Sequence, residues 1–138
     1  MCGIAGYVGP KNAVDVVFDQ LKRLEYRGYD SAGIAYLDNG SIAVTKKAGK
    51  LSELGKVLFD APKHADLAIA HSRWATHGGP TDENAHPHYD RFERIAIIHN
   101  VPDVGISASG PVPQEAILSA ENTSGTTVYA PPLRLYRM

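Results

Sequence analysis

CGIAGYVG, residues 2–9, opens the chain behind Met1 with small apolar side chains punctuated by glycine. The run predicts a short buried strand beginning at the N-terminus itself. Gly3, Ala5 and Gly6 would leave room along it for a substrate to approach. It also makes the chain's single cysteine its second residue. Methionine ahead of a small residue is commonly trimmed, so Cys2 is expected to become the first residue. A free α-amine titrates at about 7.7–8.0 and a cysteine thiol at about 8.5. One residue can therefore supply both base and nucleophile. An alternative stays open on position alone, in which Cys2 is an incidental small residue behind an intact Met1.

Outward from this strand, Asn12 offers a helix N-cap with Asp15 in the first turn. Val14, Val17, Phe18, Leu21 and Leu24 recur at helical spacing, predicting an amphipathic helix over roughly 13–25. Arg27 to Ser31 reads as a loop. Residues 33–37 and 42–46 read as strands joined at Asp38-Asn39-Gly40-Ser41, where Asn-Gly suits the positive φ of a type I′ turn. Ser52 is a candidate cap for a short helix with Leu54, Val57 and Leu58 on one face. Residues 67–70 read as a buried strand leading into HSRWATHG at 71–78, 79–93 as a polar loop, and 94–98 as a strand running into His99-Asn100. Beyond Asn100 the character changes. No lysine or histidine follows, prolines interrupt the chain, and Ser, Thr and Gly fill the gaps. Residues 101–138 are expected to be weakly ordered, with a helical turn at 115–118 and a short strand at 126–129.

The 138 residues fit one domain, and 43% hydrophobic with 21% charged residues is an ordinary globular composition. A net charge of −1 argues against nucleic acid as a partner. No apolar run approaches a membrane span and no basic leader precedes one, so no membrane partner and a cytoplasmic location are expected. A lone cysteine excludes an intramolecular disulfide and a Cys-rich zinc site. His86-Pro87-His88 without a third well-spaced ligand is weak ground for a metal, and neither a metal nor a cofactor is expected.

Five blocks then stand in order: MCGI at 1–4, RLEYRGYDSAG at 23–33, HSRWATHG at 71–78, NAHPH at 84–88 and HN at 99–100. Together they closely resemble the start of the glutamine–fructose-6-phosphate aminotransferase (isomerizing) family. The EYRGYDS form is nearer to that family than to the amidophosphoribosyltransferases, which share the module. The resemblance covers residues 1–100. It implies an α+β fold, the N-terminal-nucleophile (Ntn) hydrolase-like αββα sandwich, here incomplete. It also implies hydrolysis of glutamine to glutamate and ammonia, the ammonia serving glucosamine 6-phosphate synthesis. By motif, Cys2 is the nucleophile and Asn100 the oxyanion-hole amide. Arg73 holds the glutamine α-carboxylate, for which its planar fork suits two-point binding. Trp74, Thr76 and His77 belong to the loop closing over the substrate, and Arg27 to the loop beside the N-terminus. Read without the motif, Arg73 is a solvated loop charge, Trp74 a core filler and Asn100 an ordinary strand-end residue.

The pattern breaks at residue 101. The family continues with glycine, whose N–H is the second oxyanion donor, and here Val101 stands there, followed by Pro102. Valine resists positive φ, and proline pushes its predecessor toward extended conformations. The family's later Ser-Glu-Thr-Asp-Thr-Glu motif, whose Asp holds the substrate α-amine, has no counterpart in 101–138, nor have the sugar-phosphate isomerase domains. The switch resembles a frame change or a fusion, with residues 1–100 as the amidotransferase part and 101–138 as a divergent tail. Three functional readings follow: a glutaminase module, a truncated and inactive remnant, or an interaction module that joins a separate partner supplying the missing half, with an exposed sheet edge as its only support. Lost sheet cover over residues such as Ile95 to Ile98 predicts poor solubility or partial order.

Overall fold

Among the residues described by a computed structural model, eight strands form two antiparallel sheets, accompanied by two α-helices and a short 3-10 helix. The described residues are 1–58, 61, 64–76, 78–100, 114–121 and 125–129. The first sheet has the order β1-β4-β2-β3, with β1 Gly3–Val8, β2 Ser31–Asp38, β3 Ser41–Ala48 and β4 Leu67–Arg73. The second has the order β5-β6-β7-β8, with β5 His88–Tyr89, β6 Ile95–Asn100, β7 Gln114–Glu121 and β8 Gly125–Tyr129. Helices α1, Ala13–Leu24, and α2, Leu51–Val57, cover one face of the first sheet.

The strand period of two sorts the side chains between two cores. Ala32, Ile34 and Tyr36 of β2 and Ala68 and Ala70 of β4 face the helices. There they meet Val14, Val17 and Leu21 of α1 and Leu51 and Leu54 of α2. Each of the larger aliphatic side chains contributes roughly 1.5–3 kcal/mol by leaving water. Ala35 of β2, Ile42 of β3 and Leu67 and Ile69 of β4 face the other way, onto Ala96 and Ile98 of β6. That second cluster is the seam between the sheets. Among the described residues the layers therefore run helix, sheet, sheet, the incomplete α+β sandwich that the motifs imply. None of the helices among them is long and apolar enough to cross a membrane.

Local chemistry departs from the sequence reading at several points. β1 is an edge strand and is covered unevenly: Gly3 and Ala5 are buried, Ile4 and Tyr7 half-buried, and Val8 is 70% exposed. Asn12 precedes α1 without capping it. Its Oδ1 instead accepts from Ala65 N at 3.1 Å, and the Ala65 carbonyl takes the Ala13 N–H at 2.6 Å. A neighbouring segment thus satisfies the open helix end in place of the local side chain. Ser52 lies inside α2, whose first N–H, that of Leu51, is taken by Glu25 Oε1 at 3.2 Å. The Asn39-Gly40 turn has both φ values positive, +48° and +83°, as a type I′ turn requires. The helical turn expected at 115–118 is part of β7, paired Ile97 to Ile117 and Ile98 to Ala116. An open sheet edge outweighs a weak local helical preference. Residues 126–129 are strand, within β8. The other residues of 101–138, Val101 and Pro102 among them, lie outside the described residues.

Candidate active site

Strand β4 is buried along its whole length, and its alternation continues past the apolar part. Leu67, Ile69, His71 and Arg73 share the face toward the second sheet, while Ala68, Ala70 and Ser72 share the helix face. On β1, Gly3 pairs with Ser72 and Ile4 with His71. A Cβ on Gly3 would lie 2.5 Å from Ser72 Oγ, so the strands meet closely only because none is there. One residue beyond this pair, Cys2 and Arg73 emerge together into a cavity of about 270 Å³. That is near the low end of small-molecule sites, a size suited to a single amino acid.

The loop before β2 fixes the end of β4. Asp30 N donates to Arg73 O at 3.0 Å, Asp30 Oδ2 accepts from Ala75 N at 2.8 Å, and Asp30 O accepts from Gly49 N at 2.8 Å. A Cβ on Gly28 would lie 2.7 Å from the Arg73 carbonyl carbon, so this approach requires glycine. Trp74 is exposed at the cavity rim, with its ring edge-on to Tyr29 at 5.5 Å between centroids. The side chain of Arg73 is buried, and Nη1 donates to Gly79 O at 3.4 Å. Asn84 Nδ2 donates to the same carbonyl at 3.1 Å. Gly78, at φ +73°, makes the turn between them.

Of the residues singled out from the sequence, Cys2, Arg73, Trp74 and Thr76 line this cavity. Arg27 does not. It ends a 3-10 turn, Glu25–Arg27, and its Nη2 lies 3.9 Å from Met1 Sδ. Its Nε is buried and has no hydrogen-bond partner. Asn100 closes β6 opposite Gln114, and its side chain lies outside the described residues, as does all of His77.

Sequence reasoning missed an imidazole cluster in the cavity wall. His71 stacks on His86 at 4.4 Å between centroids, and His86 meets His88 at 4.3 Å and His99 at 4.4 Å. The polar 79–93 loop thus carries one of the most enclosed histidines into the interior. His71 Nε2 lies 3.0 Å from His99 O, while Nδ1 of His71, His86 and His99 are buried without partners. Burial pushes the His71 pKa down to about 3, opposed by the hydrogen bond with the His99 carbonyl and reinforced by the charges of His99, Arg73 and His88. Burial likewise pushes His86 down to about 2, reinforced by His71, His88, His99 and Arg73. Both rings are neutral at physiological pH. The signal that could have placed His71 was the β4 alternation carried three residues further. Nothing in the pattern of 79–93 reveals that His86 folds inward. Among the described residues no group of His, Cys, Asp and Glu is arranged to hold a metal ion. Chemically, the cavity offers a thiol, a cation with a planar fork and neutral imidazoles, a set able to seat a carboxylate near a nucleophile.

No family model matches the chain. It is 61% identical over 101 residues to the glutamine–fructose-6-phosphate aminotransferase [isomerizing] of Streptomyces coelicolor, covering 72% of this chain and 16% of that protein. The enzymes of the same name from Thermus thermophilus and Aquifex aeolicus are 58% and 55% identical over 100 residues, covering 72% of this chain and 17% of each. The chain thus spans about one sixth of the length of the curated relatives it matches, 16–17%. A solved structure of the glutamine phosphoribosylpyrophosphate amidotransferase of B. subtilis, complexed with ADP and GMP, superposes with a TM-score of 0.60 at 25% identity, covering 72% of this chain and 22% of that one. The chain carries a segment of the glutamine–fructose-6-phosphate aminotransferase family, folded as an incomplete Ntn-type α+β sandwich.

Proposed function

We propose that this segment is the nucleophile-bearing half of a glutamine amidotransferase site, which hydrolyses glutamine to glutamate and ammonia. The observation that carries the reading is the emergence of Cys2 and Arg73 from neighbouring strands into one cavity. Arg73 receives the substrate α-carboxylate, which orients the side-chain amide toward Cys2. Trp74, Thr76 and His77 close over it. With Met1 removed, the Cys2 α-amine takes the thiol proton and the thiolate adds to the amide carbon. The resulting oxyanion is held by Asn100. The C–N bond breaks as the α-amine's proton passes to the leaving nitrogen, giving ammonia and a thioester. Water, deprotonated by the same α-amine, then releases glutamate and restores the thiol. Arg27 supports the N-terminus. In the longer relatives the ammonia would be used to make glucosamine 6-phosphate from fructose 6-phosphate, in the cytoplasm.

A second reading, the inactive remnant, is favoured by one feature of the sequence. Val101-Pro102 stands where the resemblance calls for a glycine. Loss of one oxyanion donor typically costs about 10²–10³ in rate. The two readings separate in one experiment: glutamate release by the full chain with Met1 removed, beside a Cys2→Ala control. Release that disappears in the control supports the glutaminase. Release equal to the control, with Met1 confirmed absent by mass spectrometry, leaves the remnant.

A further inference from the structure

The stretch from Asp82 to Tyr89 lies along one wall of the cavity and presents Asn84, His86 and His88 to it. Strand β3 holds this wall from outside. Asp82 is fixed by Ala48 N at 2.6 Å and by Lys47 Nζ at 2.6 Å. Lys46 Nζ reaches further in, donating to Ala85 O at 2.9 Å and Glu83 O at 3.2 Å, and lies 5.6 Å from the centre of the Tyr89 ring. The two carbonyls bracket Asn84, whose side chain shares the Gly79 carbonyl with Arg73. Gly33 on β2 leaves the space, since a Cβ there would collide with the His86 carbonyl.

We propose that Lys46 is a positioning residue for this site: by holding Glu83 O and Ala85 O it seats Asn84, and through the Gly79 carbonyl it sets where the Arg73 guanidinium meets a substrate carboxylate. The proposal rests on the glutamine reading above. The Lys47–Asp82 pair, exposed on both sides, is a poor substitute, because such pairs contribute little. Lys46 instead donates charge-assisted hydrogen bonds to two main-chain acceptors, a stronger class of contact. Cys2 lies just ahead of β1 and is not held by this wall, so Lys46 acts on substrate affinity and not on the chemical step.

The test is Lys46→Met, which keeps the aliphatic stem and removes the donors, beside Lys46→Arg, which restores a cation able to reach both carbonyls. The full chain with Met1 removed is assayed for glutamine hydrolysis, and amide hydrogen exchange is followed over residues 83–88. The expected result is a KM for glutamine raised about tenfold in Lys46→Met with kcat within about twofold, faster exchange at Asn84 and Ala85, and recovery of both in Lys46→Arg. An unchanged KM and unchanged exchange overturn the proposal, and so does a fall in kcat at constant KM. If the wild-type chain releases no glutamate, the glutamine reading has failed on its own. The exchange comparison then decides for Lys46 if it quickens in Lys46→Met and against it if it does not.

Discussion

Acidification from pH 7.5 to pH 5 should weaken the folded state through two buried histidines. His71 and His86 are neutral in the fold, with pKa values pushed down to about 3 and about 2, chiefly by burial. In the unfolded chain each returns to about 6.5. Below pH 6.5 the unfolded state therefore binds protons that the folded state refuses, and stability falls as pH falls. At pH 5 each histidine contributes a loss of about 2 kcal/mol, roughly 1.5 pH units at 1.36 kcal/mol per unit. Both together give about 4 kcal/mol, a large part of the 5–15 kcal/mol a typical domain possesses. Asp82 enters later: Lys47 and the Ala48 N–H lower its pKa, so its stabilising effect is lost only as pH drops below the ordinary carboxylate range. The assay is urea unfolding followed by far-UV circular dichroism at pH 7.5, 6.5, 5.5 and 5.0, with histidine ring resonances followed by NMR. A midpoint unchanged between pH 7.5 and 5.0, or His86 ring signals titrating near pH 6.5 in the folded chain, would refute the reasoning.

Three further outcomes are expected. Arg73→Lys replaces the planar fork by a point charge and should raise the KM for glutamine at least tenfold, about 1.4 kcal/mol, with less effect on kcat; equal KM values would remove Arg73 from carboxylate binding. Gly28→Ala places a Cβ 2.7 Å from the Arg73 carbonyl carbon, so the Asp30 clamp must shift at a cost of about 1–3 kcal/mol, read as a lower urea midpoint. Val101→Gly should raise turnover, by as much as about 10²–10³ if the second oxyanion donor is the whole defect; turnover unchanged from wild type would place the limitation elsewhere.

The strands and α1 were legible because their signals are local and periodic. Val14, Val17 and Leu21 repeat at helical spacing and fill the core as the pattern demands. Asn39-Gly40 specifies its own turn. What escaped was decided by partners distant in sequence. Asn12 has the right chemistry for an N-cap, yet its side chain bonds Ala65, and the α2 terminus is served by Glu25 instead of Ser52. The candidate site was legible in a different sense. Motif blocks named Cys2, Arg73, Trp74 and Thr76, and the fold brings these four to one cavity. Composition or periodicity would have given none of them. The imidazole cluster was hidden because burial of His86 depends on Gly33 making room and Lys46 holding Ala85, contacts from β2 and β3 that nothing in NAHPH announces.

Strand β7 bears on how a chain can keep a fold and strain its chemistry. β6 carries Ala96 and Ile98 into the seam between the sheets, so its backbone must pair on both sides or face water. β5 covers only its first half, through Ala96 and Ile97, and β7 pairs with it from Ile95 to Asn100. β7 lies beyond the motif blocks present in this chain, the last of which ends at Asn100. A strand outside those blocks can do this because ladder hydrogen bonds are made by main-chain groups, with only proline lacking the N–H. Side-chain chemistry has no such tolerance. An oxyanion donor must lie at one point in space, and a carboxylate partner for the substrate amine must be an Asp or Glu at another. Sheet completion is thus the more forgiving requirement of the two, which makes a well-formed sandwich weak support for turnover. The comparison of Val101→Gly with wild type bears directly on that gap, since it restores the residue the resemblance calls for while leaving every side chain of the seam in place.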